Sequence, residues 1–107
     1  MNDTTYNGWT NYETWNYNLW LQDGGLDYWA EQAKQIAIET ESDDTFTAIE
    51  NTAFILADQL KAECEEAAEE WMTDQASPFA DLLNSSLSAI NWHEIATSIL
   101  DDLDLAA

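Results

Sequence analysis

Catalysis needs a base, a nucleophile or a metal constellation, and this chain offers few side chains for any of them. His93 is the single histidine and Cys64 the single cysteine. His93 stands between Trp92 and Glu94 at an expected helix start, with no His-Glu-x-x-His spacing around it. A zinc site draws on more His or Cys ligands than the chain owns, and a di-iron bundle site uses two Glu-x-x-His pairs. A helix-face or interface histidine is the expectation. Cys64 lies in Ala62-Glu63-Cys64-Glu65-Glu66. A reactive thiolate is favoured by nearby positive charge. This acidic setting raises the thiol pKa instead, so Cys64 reads as a small structural residue. One cysteine permits no internal disulfide and suits a reducing cytoplasm. Carboxylates are plentiful, so residue type alone leaves a glycosidase-type pair open. The longer acid runs nevertheless fall on expected polar faces, and Asp101-Asp102-Leu103-Asp104 lacks the spacing and glycine of a calcium loop. The expectation is a binding protein without catalytic residues, cofactor or metal.

Charge is the outlier. Twenty-two Asp and Glu stand against two lysines, Lys34 and Lys61, and no arginine, giving a formal net charge of -20. Nothing here grips phosphate in the usual way, which argues against direct DNA or RNA binding. A cationic approach to anionic membranes is excluded with it. No apolar run is long enough to span a bilayer. Met1-Asn2-Asp3-Thr4-Thr5 lacks the basic and apolar regions of a signal peptide, so a cytoplasmic location is expected. Hydrophobic residues make up 46% of the 107, enough for a core and too many for a disordered acidic tail.

The elements that must carry these side chains read as helices within one domain, residues 1–107. Strand signals are almost absent. Thr10 with Glu13 has capping-box spacing and opens a helix through Trp15, Leu19 and Trp20. It should stop at Gly24-Gly25, where a left-handed residue is cheap. A second helix runs from about Leu26 to Glu39, with Trp29, Ala33, Ile36 and Ala37 on one face. Ser42-Asp43-Asp44 is a turn. The third helix is the longest, from near Thr45 to about Met72. Phe46, Ile49, Ala53, Leu56, Leu60, Ala67 and Trp71 form its apolar stripe. Ser77-Pro78 caps and starts a fourth helix bearing Phe79, Leu82, Leu83 and Leu87. Asn91 with Glu94 opens a last one bearing Trp92, Ile95, Ala96, Ile99 and Leu100. The fold class is an all-α bundle of about five helices with one long acidic helix.

Twelve of the 22 carboxylates lie between Glu39 and Asp74. On the third helix, Glu65/Glu69, Glu66/Glu70 and Glu70/Asp74 are like-charge pairs at i, i+4, each costing roughly 0.2–0.5 kcal/mol. A lysine at any of these places would relieve the repulsion. Asp58, Glu63, Glu65, Glu66, Glu69, Glu70 and Asp74 therefore form the candidate partner-binding face. The aromatics are the second candidate. Trp9, Trp15, Trp20 and Trp29 cluster early with Tyr6, Tyr12, Tyr17 and Tyr28. Core packing is the expected role, and an exposed patch at Tyr12, Trp15 and Trp20 that docks a partner is the alternative.

Thr10-Asn11-Tyr12-Glu13-Thr14-Trp15-Asn16, continuing to Leu19-Trp20-Leu21, resembles the "NYETW…LWL" opening of a family of small proteins from phages, plasmids and their hosts. Tyr28-Trp29, Leu56-Ala57-Asp58-Gln59-Leu60-Lys61, Ala80-Asp81-Leu82-Leu83 and Asn91-Trp92-His93-Glu94-Ile95-Ala96 extend the resemblance over most of the chain. It departs at His93, where relatives often have arginine. The resemblance implies a mobile-element setting and supplies no catalytic residues. Three explanations of the acidity follow. In the first, the carboxylates mimic nucleic-acid phosphates and occupy the Lys/Arg groove of a basic nucleic-acid-binding protein, such as a CRISPR or restriction-type defence complex. In the second, the acidity is adaptation to high salt, which spreads acids over all exposed surface. In the third, the acidic side is a solvated face and the aromatic end binds the partner. The first is the leading expectation, and the sequence leaves the oligomeric state open.

Overall fold

The computed structural model describes residues 5–71 and 77–103. Among these residues there are five helices and no strand: α1 Tyr12–Gly24, α2 Leu26–Glu39, α3 Ala48–Trp71, α4 Pro78–Ala89 and α5 Trp92–Asp102. None is long and apolar enough to cross a membrane.

Local chemistry explains most boundaries. Ser77 Oγ accepts from the Ala80 amide at 3.1 Å, and Pro78 fills the first helical position of α4, where no amide is needed. Asn91 Oδ1 accepts from the Glu94 amide at 3.0 Å and opens α5. Three expectations shift. Asn11, not Thr10, caps α1, accepting from the Thr14 amide at 2.9 Å. Asp43 Oδ1 accepts from the Thr45 and Phe46 amides, so residues 43–46 are a turn and α3 starts later than Thr45. Those two amides hold the Asp43 carboxyl below its ordinary pKa. The start of α3 is instead a reciprocal pair: Thr47 Oγ1 accepts from the Glu50 amide and Glu50 Oε1 from the Thr47 amide. The third shift concerns Gly25, which ends α1 at φ −119°, not left-handed. Its need is space, since a Cβ there would lie 3.2 Å from Leu21 Cδ1. Left-handed backbone occurs earlier, at Asn7 (φ 48°) and Gly8 (φ 87°). They form a two-residue hairpin turn across which Tyr6 and Trp9 exchange both backbone hydrogen bonds at 2.8 Å.

α3 is the centre of the bundle. α5 packs most extensively against it and α2 covers the adjoining side, while α1 bridges α2, α4 and α5. Ala53, Leu56, Ala57 and Leu60 form the buried stripe of α3 against Trp29, Ala33 and Ile36 of α2 and Ile95, Ile99 and Leu100 of α5. Fully burying each such aliphatic side chain stabilises by about 1.5–3 kcal/mol. The expected stripe holds from Ile49 through Leu60 and fails at Phe46 and Ala67. Phe46 lies in the preceding turn and is exposed, stacking edge-on with Phe54 at 4.9 Å. Ile49 is half-buried and Ala67 is exposed. The Trp71 side chain and Met72 lie outside the described residues. The physical reason is length. At ~1.5 Å per residue α3 is ~36 Å long, while α2 and α5 reach only ~21 and ~17 Å, so they cover one half of it. The other half projects beside α4.

Candidate partner-binding surfaces

The projecting half of α3 carries the acids. Asp58, Glu63, Glu65, Glu66, Glu69 and Glu70 are all exposed. Asp74 lies outside the described residues. At ~100° per residue they fall in two rows. Asp58, Glu65 and Glu69 share one, and Glu63, Glu66 and Glu70 the other, roughly a third of a turn away. Glu63 Oε2 accepts a long hydrogen bond from the Tyr28 hydroxyl at 3.3 Å. Partial desolvation and this carboxylate raise the Tyr28 phenol pKa. Lys61 is the one cation among these acids. Among the described residues the ion pair found is Lys34–Glu31, on α2 at 3.5 Å. Among the described residues none of the six carboxylates is held in an ion pair. α4 contrasts with this. Its exposed surface combines the apolar Phe79 and Leu82 with Asn84, Ser85, Ser86 and Ser88, and Asp81 is its one acid.

The aromatic cluster is mostly not core. Trp29 and Trp92 are buried, but Tyr12 is 50% and Trp20 67% exposed, and Trp15 is half-buried. Tyr6, Tyr12 and Trp15 stack on one another with ring centroids 4.9–5.7 Å apart. The expected core role of Trp15, Leu19 and Trp20 fails because α1 is inverted. Its inward stripe is Thr14, Asn18 and Leu21, at i, i+4 and i+7, and its outward side carries Tyr12, Leu19 and Trp20.

Hydrogen bonding to α5 explains the inversion. Thr14 Oγ1 donates to Asn11 Oδ1 at 2.6 Å and accepts from the Asn91 amide at 2.9 Å. Asn11 Nδ2 donates to the Ala89 carbonyl at 2.6 Å. Thr10 adds two links, its amide to Glu94 Oε1 and its hydroxyl from Asn91 Nδ2. The Thr10–Trp15 motif and the Asn91–Glu94 motif thus form one clasp between two helix starts. Thr14 is fully buried, so Thr14→Ala should cost about 1–3 kcal/mol by stranding the Asn91 amide. Thr14→Ser should recover most of it. Denaturant melts of both variants check this, and equal losses would show that the methyl, not the hydroxyl, matters.

A family model matches residues 2–104, a span that includes both halves of the clasp. The chain belongs to DUF7249, a family of unknown function. No curated protein and no solved structure matches it.

In this DUF7249 member the remaining reactive side chains sit apart. Cys64 is half-buried beside Tyr17 of α1. Burial raises the thiol pKa, and Glu65 adds to the rise. The direction agrees with the sequence reading, although desolvation rather than neighbouring charge is the larger cause. His93 is exposed and lies against the Phe54 ring at 5.2 Å. Among the described residues no three His, Cys, Asp or Glu side chains converge as a metal site. The sequence gives no sign of a cleft of about 700 Å³ between α3 and α4, with Leu83, Leu87, Ile90 and Trp92 in its lining.

Proposed function

We propose that this protein is a nucleic-acid mimic of a phage or other mobile element. It acts in the cytoplasm as a binding protein, not an enzyme. Its target is a basic nucleic-acid-handling protein of host defence, of CRISPR or restriction type, and the acidic half of α3 enters the target's Lys/Arg groove. The observation that carries this reading is the unevenness of the exposed charge. Salt adaptation alone would spread acids over every exposed helix, yet α4 exposes a single acid, Asp81, while α3 crowds six carboxylates between Asp58 and Glu70. Those twelve steps cover ~18 Å, so the two rows together carry about one charge per 3 Å of axis, roughly half the density of duplex DNA at ~1.7 Å. A second acidic segment such as Glu31, Glu39 and Glu41 would be needed to approach it.

The test is competition. A purified CRISPR effector or restriction endonuclease should bind either its labelled duplex or this protein, not both. Inhibition should fall steeply between about 50 and 200 mM salt, as expected where phosphate-like contacts dominate. A ternary complex of target, duplex and protein would overturn the reading. A second reading rests on the inverted α1: the acidity is salt adaptation, and the exposed Tyr12, Trp15 and Trp20 side binds the partner. It predicts binding that persists as salt rises.

A further inference from the structure

α4 is the helix least tied to its neighbour in sequence. It packs on α1 and makes no comparable contact with α3. The space between α3 and α4 is the cleft of about 700 Å³. Its walls are two helical ridges. The α3 wall presents Lys61, Glu65 and Glu69 at four-residue steps, and the α4 wall presents Leu83 and Leu87 at the same step. Ile90 and Trp92 lie between them.

We infer that this cleft seats an amphipathic helix of a partner protein, apolar toward α4 and basic toward Glu65 and Glu69. Shape supports a helix. Parallel rows at i±4 leave the kind of groove into which the side-chain ridge of another helix packs, and helix-in-groove recognition uses such apolar anchors. Charge selects which helix. The α4 wall sets Leu83 and Leu87 beside Asn84 and Ser88, and the α3 wall carries two exposed carboxylates and one lysine, Lys61. A helix with Leu toward Leu83 and Leu87 and with Lys or Arg toward Glu65 and Glu69, away from Lys61, is matched, and an acidic one is repelled by the chain's net charge of -20. A second copy of this chain, at a net charge of -20, is a poor occupant. A small molecule is also a poor fit, because the charged groups lie along one wall and do not converge. This goes beyond mimicry: there the protein inserts a convex face into its target, whereas here it supplies the groove.

The probe is a roughly 18-residue Leu/Lys peptide, about five helical turns, with Leu at i, i+3, i+4 and i+7. Its control is a scrambled peptide of identical composition. Binding is read by NMR on the full chain at about 0.15 M NaCl, where screening reaches ~8 Å and diffuse attraction is weakened. The patterned peptide should bind at least about tenfold tighter than the scramble. Its shifts should concentrate at Leu83, Leu87, Ile90 and the Trp92 indole. Ser88→Phe places a ring at an exposed position of the cleft wall. It should weaken the patterned peptide about tenfold and leave the scramble and the melting temperature unchanged. Asn84→Phe, also exposed on that wall, gives the same reading independently. Equal affinity for the two peptides would overturn the inference. So would shifts centred on Trp20 or Glu66, or plugged variants that bind like the parent. None of these measurements involves the defence target, so the groove and the mimicry reading fail or stand separately.

Discussion

Replacing Leu56 with alanine should lower the unfolding free energy by about 2–5 kcal/mol. Leu56 is fully buried where α3 faces both α2 and α5. The deletion loses apolar transfer energy and leaves a cavity that helices on two sides cannot both close. For a domain whose total stability is of order 5–15 kcal/mol this is a large share. The comparison that sharpens it is Phe79→Ala. Phe79 has the larger ring and belongs to the apolar pattern of α4, yet it is 73% exposed. Its loss should stay within about 0.5 kcal/mol. Urea melts with unchanged slope measure both. A Leu56→Ala cost below about half the lower bound, or a Phe79→Ala cost near the upper one, would contradict the packing described.

The second large effect is functional. Changing Glu63, Glu66, Glu69 and Glu70 together to Gln leaves helix propensity nearly unchanged. The four substitutions move the formal charge from -20 to -16. The repulsive pairs Glu65/Glu69 and Glu66/Glu70 are both removed, a relief of roughly 0.2–0.5 kcal/mol each. The variant should melt at or above the parent temperature, with the gain largest at low salt, where screening is weakest. Inhibition of the defence target should be lost. Inhibition as strong as the parent's would remove the α3 face as the mimic. Tyr12→Ala with Trp20→Ala would then identify the aromatic side as the partner site. Both residues are at least half exposed, so folding should survive their loss.

Much of the bundle is legible in the sequence because its signals are local. Ser77-Pro78 and Asn91 with Glu94 act within one helical turn, and α2 begins at Leu26 and ends at Glu39 as its periodicity indicates. Asn7-Gly8 is also a local signal, a dipeptide suited to the left-handed backbone of a two-residue hairpin turn. The orientation of α1 is a different matter. Thr14 and Asn18 look like surface residues, and Trp15 and Leu19 like core, until the Asn91 amide arrives from the far end of the chain to claim the Thr14 hydroxyl. The acidic candidates were legible because carboxylates without cationic partners stay in water. The cleft was not, because it depends on how far α4 stands from α3, a distance that no residue pattern encodes.

The clasp has a consequence for how the protein is made. Its hydrogen bonds join residues 77 to 84 positions apart. During translation at roughly 5–20 residues per second, the opening motif emerges several seconds before its partner exists. Until α5 leaves the ribosome, the inward side of α1 has no amide or carbonyl from the closing motif to meet. The clasp therefore closes only after residues 89–94 have been made, and a product cut short before residue 89 loses the reason for α1 to face the way it does.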